Sequence, residues 1–127
     1  MEKSSPSILI VDDDPVHLTL YNWMMQKEGY KPLTALVEST SVDLPTDKKV
    51  DLILLDYRLK SSLTAPQVAK MLQEAFAKAP IIVLSELAWM PTDIREYAVA
   101  FVRKGEPAEL MHAIQKFTTD PQATHDC

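Results

Sequence analysis

Four short apolar segments recur along the chain, separated by longer stretches in which apolar and polar residues follow helical spacing. The segments read ILIV (8–11), VDLILL (50–55), PIIVL (80–84) and AVAFV (98–102). Nearly continuous runs of β-branched and large apolar residues are typical of strands covered on both faces, as in a parallel sheet. A weaker fifth strand is predicted over YKPLTAL (30–36). The pattern therefore indicates a parallel sheet of five strands.

Helices are predicted between the strands. Apolar residues at helical spacing extend over residues 15–28, 66–78 and 107–118, and each stretch carries a proline at or near its first turn. Proline is tolerated there because the first amide hydrogens of a helix have no intrahelical partner. Two further short helices are expected within residues 37–49 and 89–98. About five helices alternating with five strands predict an α/β fold with right-handed crossovers and helices on both faces of the sheet.

Large apolar residues on the predicted helices are expected in the core rather than in a cofactor site. In the first helix, Val16, Leu20, Trp23 and Met24 fall near helical spacing on one stripe. A stripe of this kind normally packs on the sheet. Met25 and, in the second helix, Phe76 are assigned to the core as well.

Composition narrows the class of protein. The 127 residues include 46% hydrophobic residues, enough for one globular domain with a substantial core. The 13 Lys and Arg residues against 18 Asp and Glu leave a net charge of −5 without a basic run, which argues against direct nucleic-acid binding. The only cysteine is Cys127, so no disulfide or thiolate zinc site can form within one chain. The polar N-terminus and the lack of a membrane-length apolar run predict a cytoplasmic protein without membrane attachment.

Chemically active side chains follow the predicted strands directly. The first strand ends in Asp12 and Asp13, the third in Asp56 and the fourth in Ser85, and Lys104 follows the fifth. The carboxyl ends of parallel strands meet at the edge of an open α/β sheet where ligands bind, so these side chains should converge. Two carboxylates about 4 Å apart repel by roughly 4 kcal/mol at an effective dielectric constant of about 20, so clustered acids need compensation. A hard divalent cation such as Mg²⁺ would provide it.

Four motifs carry a family resemblance. ILIVDDDP, VDLILLDYRL, IIVLSE and AFVRKG appear in this order, each at the end of a predicted strand. With these motifs the chain resembles the response regulator receiver domain of two-component signalling, of the chemotaxis type. The resemblance covers residues 7–118, which leaves 1–6 as an N-terminal extension and 119–127 as a tail expected to be flexible. It implies a flavodoxin-like, doubly wound five-stranded parallel sheet with strand order 2-1-3-4-5.

The resemblance implies a phosphorylated switch rather than an enzyme. Asp56 would accept a phosphoryl group from a sensor histidine kinase or a phosphotransfer protein. Mg²⁺ would be the cofactor, held by Asp13, the Asp56 carboxylate and the backbone carbonyl of Arg58, with Asp12 assisting through water. The physical argument agrees, because a carboxylate that attacks phosphorus needs its own charge and the donor's charge masked.

The resemblance also implies how the phosphoryl group would be detected. Lys104 would pair with the phosphoryl oxygens, Ser85 would move to hydrogen-bond one of them, and Phe101 occupies the aromatic position that the family couples to switching. The output surface would be the fifth strand with the helices before and after it, where Trp89, Met90 and Tyr97 are candidate anchors for a downstream protein. We expect a monomer or a weak, phosphorylation-dependent dimer.

Several residues depart from the family pattern. The loop after Asp56 reads DYRLKSSLTAPQ, without the usual proline and glycine. Gly105 replaces the proline that usually follows the lysine, and Glu86 replaces a small residue after Ser85. A large acidic side chain beside the phosphoryl site would narrow access and repel an anionic donor, so we expect phosphotransfer to be slowed rather than abolished.

Two alternative functions remain open from the sequence. One is a pseudo-receiver, a protein-interaction module of the same fold with weak or absent phosphorylation. The other is a phosphatase of the haloacid-dehalogenase kind, because DDDPV satisfies its pattern with Asp12 as nucleophile and Asp14 as acid/base. That alternative leaves Asp56 without a role. Asp14 also precedes Pro15, a position suited to a helix N-cap.

The three histidines give no sign of a metal site. They show no metal-ligand spacing, so we expect surface or partly buried residues rather than ligands. They are His17, His112 and His125.

Overall fold

A computed structural model describes residues 5–118 of the chain. Within that range five parallel strands form one sheet in the order β2-β1-β3-β4-β5, as predicted. The N-terminal extension before residue 5 and the tail expected over residues 119–127 lie outside the described residues. The strands are β1 (Ser7–Asp12), β2 (Lys31–Leu36), β3 (Leu52–Asp56), β4 (Ile81–Ser85) and β5 (Ala98–Arg103).

The helices differ in number from the prediction. Residues 5–118 contain three α-helices, α1 (Pro15–Lys27), α2 (Ala65–Ala75) and α3 (Pro107–Thr118), and one 3₁₀ turn at Thr92–Ile94. The helix expected within residues 37–49 is not formed, and the one expected within residues 89–98 is reduced to that 3₁₀ turn.

The 37–49 segment shows why the helix prediction was wrong there. Its sequence is rich in Ser, Thr, Asp and valine and contains Pro45, a composition that lowers helix propensity. Val37 and Val42 instead form an isolated antiparallel bridge. Both side chains pack against the apolar layer on that face of the sheet, so the segment covers the sheet without forming a helix.

Two apolar layers sandwich the sheet because side chains alternate along each strand. Leu9, Val11, Ile53 and Leu55 face the layer covered by α2 and by the irregular segments. The alternate residues face the layer covered by α1 and α3, and these include Ile8, Ile10, Leu52 and Leu54.

Helix α1 faces the sheet with a different stripe from the one predicted. Leu18 and Met25 are buried, whereas Val16, Leu20 and Trp23 are 71%, 49% and 56% exposed. The helix carries two apolar stripes at helical spacing, and the one that includes Leu18 and Met25 packs on the sheet. The predicted core positions of Val16, Leu20 and Trp23 are therefore wrong, whereas those of Met25 and Phe76 are confirmed and Met24 packs partly against the core.

Local chemistry sets the start of α1 beside the end of β1. Asp14 is the N-cap, and its side chain accepts the amide hydrogen of Val16 at 2.9 Å. Pro15 follows at the first helical position. The cap therefore holds the first turn of α1 against the acidic residues that end β1. In the described part of the chain, no helix combines the length and apolar character needed to cross a membrane.

Candidate functional site

Three carboxylates meet at the carboxyl ends of the two central strands. Asp12 ends β1, Asp13 follows it, and Asp56 ends β3. One oxygen from each of the three lies within 4.8 Å of one oxygen from each of the others. Asp12 and Asp56 are only 2% and 3% exposed. The predicted convergence of the carboxylates at the strand ends is therefore present, and two of the three are almost completely shielded from water.

Lys104 supplies the positive charge of the cluster. Its ammonium lies 2.7 Å from Asp56 Oδ1, and its backbone N–H donates to the carbonyl of Ser85 at 2.7 Å. Gly105 follows with φ of +86°, a backbone conformation that glycine adopts readily. The turn after Lys104 therefore delivers the ammonium to Asp56 although the proline usual in the family is absent.

Burial and mutual repulsion control protonation in this cluster. Burial, followed by the charge of Asp56, raises the pKa of Asp12 to about 6. Burial also raises the pKa of Asp56, although its hydrogen bond to Lys104 opposes the change. For Lys104, burial lowers the pKa, but the hydrogen bond to Asp56 and the neighbouring carboxylates outweigh burial and raise it. One ammonium thus only partly compensates three acids.

The loop after β3 is tied to the acids through its backbone. Asp13 Oδ2 accepts the amide hydrogen of Lys60, and the amide of Arg58 hydrogen-bonds Asp56. These contacts order the loop without the family's proline and glycine. The Arg58 carbonyl, expected as a metal ligand, stays a prediction.

Ser85 ends β4 and Phe101 lies in β5, the strands on which the switch residues were expected. Ser85 is 2% exposed, and its Oγ accepts the amide hydrogen of Leu87 at 3.1 Å. Phe101 pairs with Val83 in the sheet and packs against the apolar layer on the α2 face. Their switching roles remain predictions.

A surface cavity of about 370 Å³ opens over the cluster. Glu86, whose side chain was expected to narrow access, is part of its wall, together with the cationic Arg58 and Lys60. The full lining is Asp13, Asp14, Pro15, His17, Asp56, Arg58, Lys60, Glu86 and Lys104.

His17 contacts the site, although the sequence predicted only a surface or partly buried residue without a role there. Its Nδ1 lies 3.1 Å from Asp12 Oδ2, and its Nε2 lies 3.6 Å from Asp14 Oδ2. The side chain is 40% exposed. One signal in the sequence could have found it, since a residue three positions after an N-cap is placed to reach back toward that cap.

The donor set fits a hard divalent cation. All three converging groups are carboxylates, the ligand type that Mg²⁺ prefers, and the cavity above them leaves room for water and a phosphoryl group. A divalent charge would also relieve the repulsion that raises the pKa of Asp12. The residues that would hold Mg²⁺ are Asp13 and Asp56 directly, with Asp12 beside them.

Comparison with known proteins agrees with the fold. The chain is 28% identical over 116 residues to the transcriptional regulatory protein GlrR of Escherichia coli (strain K12), covering 91% of this chain and 25% of that protein. It therefore spans about a quarter of the length of that curated relative. The response regulator protein TrrA of Thermotoga maritima, solved in complex with Mg²⁺-BeF, is 25% identical with a TM-score of 0.74, covering 88% of this chain and 98% of the other.

A chemotaxis protein shares the fold as well. CheY4 of Vibrio cholerae is 18% identical with a TM-score of 0.73, and the match covers 90% of this chain and 99% of that one. The family model described as response regulator receiver domain matches residues 8–115. The chain therefore belongs to the response regulator receiver family.

Proposed function

We propose that this domain is a signalling switch that accepts a phosphoryl group on Asp56 from a phosphohistidine of a kinase or phosphotransfer protein, with Mg²⁺ bound. The observation that carries the proposal is the buried Asp56 carboxylate, 2.7 Å from the Lys104 ammonium and clustered with Asp12 and Asp13. A lysine beside the attacking carboxylate, with further acids placed to hold a metal ion, favours in-line phosphoryl transfer, in which cations neutralise the charge of the transferred group.

The transfer step follows from these residues. An Asp56 oxygen attacks phosphorus, a P–O bond forms, and the P–N bond of the donor breaks with its electron pair returning to the imidazole. Mg²⁺ supplies charge neutralisation for the phosphoryl oxygens when it is bound. Lys104 already contacts Asp56 and shifts its contact to the new phosphoryl oxygens, so the product anion stays paired.

The switch is proposed to pass through Ser85. In the structure the Ser85 hydroxyl oxygen accepts the amide hydrogen of Leu87. A phosphoryl oxygen on Asp56 would accept the hydroxyl hydrogen of Ser85, and movement of the side chain toward it would break the bond from Leu87 and release the segment that follows. That segment contains a three-residue 3₁₀ turn and exposes Trp89 at 73%, whereas the other two predicted anchors, Met90 and Tyr97, pack partly against the apolar layer on the α2 face. A downstream protein that distinguishes the two arrangements would bind there and on β5.

The donor protein is proposed to dock on the exposed stripe of α1. Val16, Leu20 and Trp23 form this apolar surface. Pro15 lines both this surface and the cavity over Asp56, so the two are continuous. A protein that brings a phosphohistidine to Asp56 must cover the rim of the cavity, and this stripe is the apolar part of that rim.

The deciding experiment is the intact mass after incubation with acetyl phosphate and Mg²⁺. We expect one phosphoryl adduct on the wild type, no adduct on Asp56→Asn, and an unchanged adduct on Asp47→Asn, which alters an exposed aspartate outside the acidic cluster. Chelation of Mg²⁺ should abolish labelling of the wild type.

One observation favours the pseudo-receiver as the second candidate, namely that Glu86 lines the cavity. A folded wild type without an adduct, and with none after Glu86→Ala, would support that alternative. The phosphatase alternative loses its support, because the chain belongs to the receiver family and Asp14 serves as the N-cap of α1.

A further inference from the structure

His17 makes the shortest contact between α1 and the acidic cluster. Its Nδ1 lies 3.1 Å from Asp12 Oδ2. Because an ionised carboxylate can only accept, the ring must carry its hydrogen on Nδ1 for this contact to be a hydrogen bond. The contact therefore joins the first turn of α1 to the last residue of β1.

Asp12 is held by one donor on each oxygen. The amide of Asp14 donates to Oδ1 at 3.1 Å, and the His17 ring reaches Oδ2. Two donors on different oxygens fix both the position and the rotation of the carboxylate plane. A carboxylate has about four acceptor positions, so two remain for a metal ion or its water.

Helix capping does not account for the histidine. The N-cap Asp14 already accepts the amide hydrogen of Val16 at 2.9 Å, while its contact with His17 Nε2 is longer, at 3.6 Å. The shorter contact of His17 points to Asp12 instead. Asp12 is 2% exposed, so removing one of its two donors leaves a buried oxygen that few solvent molecules can reach.

We propose that His17 is a positioning residue of the metal site: it holds the Asp12 carboxylate in the orientation that serves a divalent cation bound at Asp13 and Asp56. The inference rests on the proposed Mg²⁺ site and adds to it a residue outside the metal's own ligands. Hydrogen-bond partners that orient metal-binding carboxylates typically change metal affinity by about 10- to 100-fold when they are removed.

The experiment measures metal affinity directly, by Mn²⁺ binding in electron paramagnetic resonance and by calorimetry with Mg²⁺, without a phosphodonor. His17→Ala should weaken both affinities by about tenfold. His17→Asn should recover most of the loss, because its amide nitrogen can occupy the place of Nδ1 as a donor. His112→Ala, which alters an exposed histidine on α3, should bind as the wild type does. Circular dichroism confirms that each variant is folded.

The outcomes separate the two proposals. Wild type that binds metal while His17→Ala binds equally well or more tightly overturns the positioning role and leaves the proposed function intact. Equal losses in His17→Ala and His17→Asn also overturn it, because the lost feature is then not the donor to Asp12. Wild type without measurable affinity for either ion overturns the proposed metal site together with the positioning role.

Discussion

Ile10 and Asp12 lie two residues apart on the same strand and the same face of the sheet, and they are buried to the same degree. Ile10 is 1% exposed and Asp12 2%. Burial of an isoleucine side chain contributes about 1.5–3 kcal/mol to folding. Burial, followed by the charge of Asp56, raises the pKa of Asp12 from 3.8 to about 6, which corresponds to a cost of roughly 3 kcal/mol when the group is ionised. Apolar side chains along β1 thus stabilise the fold, whereas the ionised Asp12 at its carboxyl end lowers the free energy of unfolding.

The contrast between Ile10 and Asp12 shows that the destabilising charge of the site is confined to one edge of the sheet. The central strands bury apolar side chains on both faces, and only their carboxyl ends carry desolvated charge. Three acids share one lysine there. The divalent cation proposed for this site would be held by this excess of negative charge, and burial of the apolar layers offsets its cost.

The largest expected effect comes from the apolar member of the pair. Ile10→Ala removes a buried side chain that packs in the layer beneath α1 and α3. It should lower the free energy of unfolding by about 3 kcal/mol, measured by urea denaturation monitored by circular dichroism. A loss below about 1 kcal/mol would mean that this layer repacks freely and that burial of Ile10 contributes little to stability, contrary to the contrast with Asp12.

The charged member should behave in the opposite way. Asp12→Asn should raise the free energy of unfolding by about 2 kcal/mol at pH 7.5 without Mg²⁺, because it removes an ionised group from a buried position near Asp56. His17 and Lys104 also face Asp12, and both lower its pKa.

The sign of the pH dependence follows from the direction of the shift. The folded pKa of Asp12 lies above the unfolded value, so the folded state retains the proton between about pH 4 and 6. The wild type therefore loses stability as pH rises through this window. The difference in the free energy of unfolding between Asp12→Asn and the wild type should vanish near pH 4. Urea titrations of both proteins at pH 4 and 7.5 check this. An advantage that is equal at both pH values would contradict the assigned cause.

The smallest expected effect is kinetic and concerns the rim of the site. Glu86→Ala removes a negative charge that lines the cavity over Asp56. Labelling by acetyl phosphate should accelerate by about threefold, as expected for one partly screened like charge. Glu96→Ala, an exposed glutamate in the same connection, serves as the control. Equal labelling rates for the wild type and Glu86→Ala would show that Glu86 does not limit access.

The strands and the acids of the site could be predicted from the sequence. Buried parallel strands appear as continuous apolar runs, and the parallel order brings their carboxyl ends to one edge. Asp12, Asp56 and Lys104 follow such runs directly, so their convergence did not depend on details of packing. Asp14 as an N-cap was equally predictable, since it precedes Pro15 at the start of a helical pattern.

Only the tertiary structure decided which stripe of α1 is buried and which partners His17 has. The helix carries two apolar stripes of similar spacing, and contact with the sheet selects Leu18 and Met25 over Leu20 and Trp23. The same rotation turns His17 toward Asp12. Local sequence determines whether a segment is a helix or a strand because that choice depends on nearby residues. The face a helix buries, and the residue its first turn contacts, depend on distant residues that the chain brings together only on folding.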